Sequence, residues 1–248
     1  MDNVIRVSVC MATYNGGKYI KEQMDSILNQ EFKDNPNVEM EIIVSDDGSK
    51  DDTIQIIQNY HDDRIKLYHH KNNVHHRYNQ ALFAATHNFW YAISQATGDY
   101  IFLSDQDDVW YPWKIDVTLN VLLRQGGVCA VAFDVYDGGL RNKIGTLVYP
   151  KPHFFTLTHK NSVCGFSCGL SREELKYLQP FPDVPQHDTF IMLMALWRNK
   201  LYFVDRPCAI HRWSGVENVS ISSKRPIWFP LYYRLKMWVM VIWRSLTR

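Results

Sequence analysis

Three aspartates, Asp105, Asp107 and Asp108, lie within four residues of one another in the segment SDQDD. Neighbouring carboxylates repel, so the cluster needs a cation, hydrogen-bond donors or open solvent. Carboxylate oxygens suit Mg²⁺ or Mn²⁺, and such an ion usually sits between one or two carboxylates and substrate phosphates. A solvated acidic loop is the usual explanation of a lone D-x-D pattern. The cluster therefore predicts a cation site if a nucleotide pocket lies beside it.

A second acidic segment, SDDGSKDD, also follows a run of strand-forming residues. Asp46 and Asp47 stand at the end of that strand, where a carboxylate can accept the imide N–H of uracil or thymine, or a ribose hydroxyl. The alternative is an ordinary glycine turn in which Asp51 or Asp52 caps the next helix.

A third candidate is the pair His187 and Asp188, which opens the apolar segment HDTFIMLMALW. Asp188 could be a general base that the adjacent His187 orients or tunes. It could equally be a first-turn carboxylate that the helix dipole stabilises by about 0.3–1 kcal/mol. From the residues alone, both interpretations stay open.

The elements that must position these residues alternate between strand and helix. VIRVSVCMA, VEMEIIVSD, RIKLYHH and DYIFLSD are strand-like, and between them KYIKEQMDSILNQ, DDTIQIIQNY and NQALFAATHNFWYAISQAT are helical. This order predicts an α/β fold with a Rossmann-like, mostly parallel central sheet flanked by helices. TYNGG, SDDGSKDD and SDQDD each follow a strand, so they should gather at the carboxyl edge, where such sheets bind ligands.

The second half is less regular. VTLNVLLRQ and HDTFIMLMALWRNK favour helices, GVCAVAFDVYDG and LYFVDRPCAIHR favour strands, and SREELKYL carries a capping-box pattern, Ser171 with Glu174. Without an evident linker we expect one domain over residues 1–223, with a nucleotide-binding half (1–110) and an acceptor-binding half (111–223).

Composition narrows the class of protein. The chain has 248 residues, 46% of them hydrophobic, and a formal net charge of +1, which gives no sign of nucleic-acid binding. The five scattered cysteines and the absence of a signal-peptide pattern favour a reduced, cytoplasmic protein. The CGFSC pair has the wrong spacing for a zinc site.

The C-terminal segment 224–248 differs from the rest of the chain. It contains six Lys and Arg residues, no Asp or Glu, and six large aromatic side chains. A basic, aromatic helix too short in apolar length to span a bilayer fits the headgroup layer of an anionic membrane. A terminal helix packed on the core with solvated charges is the alternative. We expect an amphipathic, membrane-associating tail whose removal abolishes liposome sedimentation.

Four stretches in this order, VSVCMATYNGGKYI, EIIVSDDGSKDDT, GDYIFLSDQDDVW and PFPDVPQHDTF, resemble family 2 glycosyltransferases of the GT-A fold that assemble bacterial polysaccharides. The resemblance covers roughly residues 5–220. It implies an inverting, metal-dependent transfer from a UDP- or dTDP-sugar to a saccharide hydroxyl, the acceptor being lipid-linked. It also implies a location on the cytoplasmic face of the inner membrane.

The resemblance also implies residue roles. The implied nucleotide-sugar-binding residues are Ala12, Thr13, Tyr14, Asp46, Asp47 and Asp105, with Arg212 against phosphate. The implied ligands of Mn²⁺ or Mg²⁺ are Asp107, Asp105 and His211, and the implied base is Asp188. The residues implied to line the sugar or acceptor pocket are Trp110, Tyr111, Trp113 and His187.

Two departures from the family pattern bear on these roles. The usual Y-R-x-H-G-x-N run is here HRWSGVENVS, so Ser214 stands at the expected histidine and His211 lies three residues earlier. The segment around His75, His76 and Arg77 also looks longer than usual. Two other functions fit part of this pattern: a nucleotidyltransferase that makes a sugar nucleotide, and a non-catalytic scaffold of a membrane assembly complex.

Overall fold

The computed structural model describes residues 4–71, 75–149, 163–213, 226 and 228–248. The strands are β1 (Ile5–Thr13), β2 (Val38–Asp46), β3 (Ile65–His69), β4 (Tyr100–Ser104), β5 (Val109–Trp110), β6 (Val128–Asp137), β7 (Lys143–Leu147), β8 (Cys168–Ser171) and β9 (Leu201–Trp213). The helices are α1 (Ile20–Leu28), α2 (Thr53–Gln58), α3 (Gln80–Gln95), α4 (Lys114–Gln125), α5 (Leu175–Leu178), α6 (His187–Trp197) and α7 (Trp228–Thr247), with single 3₁₀ turns at Gly165–Ser167 and Arg172–Glu174.

The first half forms a parallel unit in the order β3-β2-β1-β4. Its strands are covered on both faces, which is why β2 carries the uninterrupted run Ile42, Ile43 and Val44, all with no exposed surface. The predicted α/β fold with a mostly parallel central sheet flanked by helices is therefore confirmed. All six strands named from the sequence are present.

The second half extends the same sheet with mixed pairing, in the order β8-β6-β9-β5 beyond β4. Strand β8 is antiparallel to both β4 and β6, whereas β6 and β9 run parallel. Hairpin partner β7 pairs with β6 off this path. The short strand β8 thus joins the two halves into one continuous sheet, a connection that no local pattern predicted.

Two local predictions about helix starts have different outcomes. Asp51 accepts a hydrogen bond from the Thr53 backbone N–H at 3.1 Å, so it caps the start of α2 as expected. The capping box of Ser171 and Glu174 is wrong. Ser171 Oγ accepts the Gly127 N–H at 3.1 Å, and the buried Glu174 carboxylate is paired with Arg198. Long-range partners outcompeted the local bonds there.

The last helix, α7, packs on α6 with one face while its other face is exposed. Within the described residues no helix is both long enough and apolar enough to cross a membrane. The boundary placed between residues 223 and 224 lies outside the described part, so the division into domain and tail stays a prediction.

Close packing of the joined sheet makes a prediction at Gly169 in β8. A Cβ atom there would lie 3.0 Å from both Phe102 Cε1 and Thr118 Cγ2, tighter than ordinary van der Waals contact. We expect Gly169→Ala to lower the free energy of unfolding by about 1–3 kcal/mol, because this core must shift to admit a methyl group. Urea unfolding measures the change. Gly145→Ala is the control, since a Cβ at Gly145 meets nothing within 4 Å; equal effects of the two changes would contradict the packing argument.

Candidate active site

The loops that follow β1, β2 and β4 meet at the carboxyl edge of the parallel strands. Gln106, in the middle of SDQDD, bonds the backbone of Tyr14 twice: its Oε1 accepts the Tyr14 N–H at 2.9 Å, and its Nε2 donates to the Tyr14 carbonyl at 3.1 Å. The Asp47 N–H donates to the Thr13 carbonyl at 3.0 Å. The three motifs therefore form one surface, as the topology predicted.

Asp46 organises the turn after β2. Its carboxylate accepts hydrogen bonds from Thr13 Oγ1 at 2.9 Å and from the backbone N–H groups of Gly48 and Ser49 at 2.9 and 2.8 Å. The side chain is almost completely buried, and these donors hold it in place. Asp47 is half-buried beside it, and Ala12 lies at the end of the neighbouring strand β1, paired with Ser45 of β2. Contact of these residues with a nucleoside stays a prediction.

The carboxylates of the SDQDD segment oppose one another electrostatically. Burial and the charges of Asp108, Asp107 and Asp188 raise the pKa of Asp105 well above its usual range. Burial and the charge of Asp108 raise the pKa of Asp107 to about 6. Ionising all of these groups together is therefore costly unless a positive charge is supplied nearby.

Asp108 is the most buried member and is paired with His211 from β9. Asp108 Oδ1 and His211 Nδ1 lie 2.8 Å apart, while Asp108 Oδ2 is buried with no hydrogen-bond partner among the described residues. Burial disfavours the imidazolium, but the bond to Asp108 and the neighbouring carboxylates outweigh it and raise the pKa of His211. The Phe166 ring stacks on the imidazole, with ring centroids 5.3 Å apart.

Arg212, the next residue of β9, holds the acidic loop from below. Its Nε donates to the Asp107 carbonyl at 3.0 Å, a second nitrogen donates to the Gly138 carbonyl at 3.0 Å, and a third pairs with the Glu22 carboxylate. Its guanidinium also lies 4.5 Å from the centre of the Tyr19 ring. In this structure the Arg212 guanidinium therefore contacts protein acceptors on each side, and its predicted contact with phosphate stays a prediction.

Asp188 lies in the first turn of α6 and faces the same site. Its charge is among those that raise the pKa of Asp105, which places the two carboxyl groups close enough to interact. Asp188 Oδ1 accepts the Thr189 N–H at 2.6 Å. The Gly165 backbone closes against it: a Cβ at Gly165 would lie 3.4 Å from the Asp188 Cβ and 3.1 Å from His187 Nε2.

The His187 ring lies in an aromatic environment. It stacks on Phe89 with ring centroids 4.1 Å apart and meets the edge of Trp90. Burial lowers its pKa, against the opposing charge of Asp188, so the imidazole is neutral at pH 7. Its Nε2 is buried without a hydrogen-bond partner in the described part of the chain. His187 therefore supports the start of α6 and presents little surface to a substrate.

The matching family model settles the relationship of this sequence to known proteins. The model for "Glycosyl transferase family 2" matches residues 8–177, well over half of the chain. The chain belongs to glycosyl transferase family 2.

This glycosyltransferase is similar to curated proteins along most of its length. It is 28% identical over 218 residues to the dTDP-rhamnosyl transferase RfbG of Shigella flexneri, an alignment covering 82% of this chain and 71% of RfbG. It is 27% identical over 230 residues to WfgD of Escherichia coli, a UDP-Glc:alpha-D-GlcNAc-diphosphoundecaprenol beta-1,3-glucosyltransferase, covering 91% of this chain and 82% of WfgD.

Solved structures share its fold. S. aureus TarS 1-349, solved with UDP-GlcNAc, superposes with a TM-score of 0.67 at 17% identity and covers 98% of this chain. The mannosyltransferase PcManGT from Pyrobaculum calidifontis, solved with GDP-Man and Mn²⁺, superposes with a TM-score of 0.59 at 18% identity and covers 100% of this chain. This glycosyltransferase spans 67% and 66% of those two chains. At these identities the likeness shows the fold.

The aromatic residues of the glycosyltransferase after SDQDD are built into the framework. Trp110 is 2% exposed, and its ring packs against the ammonium of Lys114, 3.3 Å from the ring centre. Tyr111 donates its hydroxyl to Asp134 at 2.9 Å, and Trp113 donates Nε1 to the Pro207 carbonyl at 3.1 Å. Trp110 therefore has almost no surface to offer a sugar, whereas Tyr111 and Trp113 are half-buried. Their place in a substrate pocket stays a prediction.

Lys114 is a site residue that the sequence analysis missed. It is completely buried, its ammonium donates to the Phe166 carbonyl, and burial lowers its pKa to about 7 against the pull of Asp108 and Asp105. It thus ties α4 to the CGFSC turn that covers Asp188. The sequence feature that could have indicated Lys114 is a lysine among the aromatic residues of WYPWKI. The CGFSC turn, which Lys114 contacts, was interpreted from sequence only with respect to a zinc site.

Residues suited to a divalent cation are present in the glycosyltransferase, although they do not form a complete ligand set. Within the described residues no group of three His, Cys, Asp or Glu side chains could hold a metal ion by itself. A Mg²⁺ or Mn²⁺ ion bound with substrate phosphates needs only one or two carboxylates. The raised pKa of Asp107 and the orphaned Asp108 Oδ2 show uncompensated negative charge that a cation would relieve. Ser214, the alternative to His211, lies outside the described residues.

Proposed function

We propose that this glycosyltransferase moves a sugar from a UDP- or dTDP-sugar, with inversion at the anomeric carbon, to a hydroxyl group of a lipid-linked saccharide. The observation that carries the proposal is that the Asp188 and Asp105 carboxyl groups lie within electrostatic reach of each other, so that the charge of Asp188 helps to raise the pKa of Asp105. A base and a cation site next to each other are what a single displacement at a sugar diphosphate requires.

Asp188 is the proposed general base. The acceptor hydroxyl transfers its proton to the Asp188 carboxylate while its oxygen forms the new bond to the anomeric carbon, and the bond from that carbon to the diphosphate breaks. Asp188 Oδ2, which has no hydrogen bond to the residues that the structure describes, is suited to this role, since the Thr189 N–H holds Oδ1 and so fixes the orientation of the group. His187 and Gly165 then act by positioning, because they pack around Asp188 and keep it at the site edge.

The nucleoside is proposed to lie on the surface formed by Ala12, Thr13 and Tyr14 with the turn of Asp46 and Asp47. Tyr14 is exposed and its backbone is fixed by Gln106, so this segment is ordered before a ligand arrives. RfbG is named for a dTDP-sugar and WfgD for a UDP-sugar, which keeps both uracil and thymine nucleotides in the proposal.

Asp107, with Asp105 beside it, is proposed to hold Mn²⁺ or Mg²⁺. When bound, such an ion neutralises the charge that the departing diphosphate gains. His211 fits a supporting place, because metal-ligating histidines commonly bond a carboxylate through their other nitrogen, as His211 Nδ1 does with Asp108. PcManGT, which shares this fold, was solved with Mn²⁺, and this supports the proposal.

The acceptor is proposed to be membrane-held. WfgD is named for a diphosphoundecaprenol acceptor, and the basic tail of this chain supports peripheral binding to the cytoplasmic face of the inner membrane. In this proposal residues 1–110 bind the nucleotide, residues 111–223 bind the acceptor and residues 224–248 contact the membrane.

A nucleotidyltransferase is less well supported, because the family match is to glycosyl transferases and MATYNGGKYI is a poor phosphate loop. A non-catalytic scaffold would have no need of Asp105, Asp107 and Asp188 gathered in one site. Neither alternative explains the carboxylate cluster as directly as glycosyl transfer does.

A thermal-shift screen with UDP, dTDP, GDP and CMP, each with Mn²⁺ or with EDTA, tests the donor assignment. A nucleotide at 100 times its Kd should stabilise the fold by about 2.7 kcal/mol. We expect a rise in Tm only with UDP or dTDP and only with Mn²⁺, because the diphosphate and the cation bind together at the acidic loop. CMP is the negative control, because it lacks both the imide N–H and the diphosphate. The absence of a shift with every nucleotide would count against the proposed function.

A further inference from the structure

Helix α7 carries an exposed apolar stripe along its whole length. Its eight residues, here called the outward face, are Trp228, Leu231, Tyr232, Leu235, Val239, Ile242, Trp243 and Leu246, each exposed over more than a third of its surface. Their spacings of three and four residues place them on one side of the helix. The opposite side, with Phe229, Tyr233, Met237 and Val241, is buried against the protein. Core packing therefore explains only half of the apolar residues in this helix.

The buried side of α7 holds the segment that leads to the proposed base. Tyr233 donates its hydroxyl to Gln186 Oε1 at 2.9 Å, two residues before Asp188. Lys236 donates to the Asp183 carbonyl at 3.0 Å. These two hydrogen bonds attach α7 to the loop before α6.

Arg244 anchors the far end of the same contact. Its guanidinium is buried and donates to the backbone carbonyls of Tyr177, Leu178 and Pro180. Because donors from three turns of α7 engage residues 177–186, whatever the outward face contacts lies at a set position relative to Asp188.

Charge decides between the occupants that an apolar face could have. The segment 224–248 has six Lys and Arg residues and no Asp or Glu. Two copies of α7 brought together through this face would bring two segments of net positive charge close to each other. An anionic lipid surface offers the opposite charge, and Trp228, Tyr232 and Trp243 are of the type enriched at the boundary between headgroups and acyl chains.

We propose that the outward face of α7 lies in the headgroup layer of an anionic membrane and so holds the Asp188 loop at the lipid surface. The proposal rests on the proposed function for its choice of a membrane-held acceptor, but not for the contact itself. Helix α7 then lies parallel to the membrane surface as an amphipathic helix, with its outward face towards the acyl chains.

The test is sedimentation of the full chain with vesicles of phosphatidylglycerol and phosphatidylcholine, and with vesicles of phosphatidylcholine alone. The double variant Leu231→Asp/Leu235→Asp should lower partitioning onto the anionic vesicles at least about tenfold, because two large apolar side chains are lost from the inserted surface. The control, Leu123→Asp/Ile144→Asp, changes two exposed apolar residues on α4 and β7, outside the outward face, and should bind like the wild type. Added salt should weaken wild-type binding, since part of the attraction is electrostatic.

Vesicle binding by the double variant equal to that of the wild type would overturn the proposal. So would a wild type that light scattering shows to be a dimer while the double variant is a monomer, because the face would then join two copies. The UDP and Mn²⁺ thermal shift of the double variant separates the two proposals. An unchanged shift with lost vesicle binding supports both, whereas vesicle binding without any nucleotide shift in the wild type removes only the proposed function.

Discussion

Replacing Asp188 with asparagine is expected to lower kcat by about 10²–10⁴-fold while leaving nucleotide binding intact. The physical reason is that an amide cannot take the proton of the acceptor hydroxyl, and a positioned base contributes a factor of this size. Asparagine keeps the shape of the side chain and can still accept the Thr189 N–H through its carbonyl oxygen. The measurement is the rate of nucleoside diphosphate release with acceptor present, beside the UDP thermal shift with Mn²⁺.

Asp183→Asn is the matched control for this change. Asp183 lies five residues earlier, where its Oδ1 is 3.0 Å from both His76 Nε2 and His87 Nε2, away from the acidic loop. The Asp183→Asn variant removes one carboxylate from the same segment and should keep kcat within a few fold of the wild-type value. Full transfer activity in Asp188→Asn would exclude Asp188 as the base. An equal loss in both variants would indicate that the segment as a whole, rather than proton transfer, had been disturbed.

Replacing Asp107 with asparagine is expected to remove the Mn²⁺-dependent part of nucleotide binding. It should also reduce the rate of transfer by a factor comparable to that expected for Asp188→Asn. A neutral amide is a poor ligand for a hard divalent cation, and with it the charge compensation of the diphosphate is lost. The thermal shift should therefore become the same with Mn²⁺ and with EDTA. Asp52→Asn, an exposed aspartate in the neighbouring loop whose side chain makes no capping bond, should keep the full Mn²⁺ dependence.

The Asp107→Asn variant should also have a higher Tm than the wild type when no ligand is present. The pKa of Asp107 is raised from 3.8 to about 6, so between these values the folded state binds more protons than the unfolded state. Stability from this group therefore falls as pH rises from about 4 to about 6, and the ionised carboxylate opposes folding at pH 7. Asparagine lacks that charge. A lower Tm at pH 7 would contradict the repulsion inferred for the acidic loop.

Cation affinity should follow the same titration in the wild type. Protons and Mn²⁺ compete for the Asp107 carboxylate, so Mn²⁺ affinity should fall by about tenfold per pH unit below pH 6 and level off above it. Titrating Mn²⁺ against the UDP thermal shift at several pH values measures this. Affinity that is the same at pH 5 and pH 7 would place the ion elsewhere.

The sequence by itself determined the parallel half of the fold and the place of the main motifs. Strand and helix periodicities reflect which face of each element is buried, so β1 to β4 and α1 to α3 could be predicted from local sequence patterns. The rule that parallel strands end at one edge of the sheet is enough to predict that TYNGG, SDDGSKDD and SDQDD lie together. Asp188 at the start of an apolar helix was legible in the same way.

Only the tertiary structure decided which of those residues meet. His211 pairs with Asp108, Arg212 is held by protein acceptors, and Trp110 is buried over Lys114. These contacts join residues about 100 apart or depend on the direction in which a side chain leaves β9 or α4. No local pattern carries that information, because periodicity reports burial and not the identity of the partner.

The tail shows both sides of this division. Its composition predicted an amphipathic helix with an excess of basic residues, and the structure places a helix there over Trp228–Thr247. Which apolar residues pack inward and which remain exposed depended on how α7 sits on α6 and the loop before Asp188. Composition determines how much apolar surface a helix has, while only its neighbours in the folded chain decide which part of that surface is left for another partner.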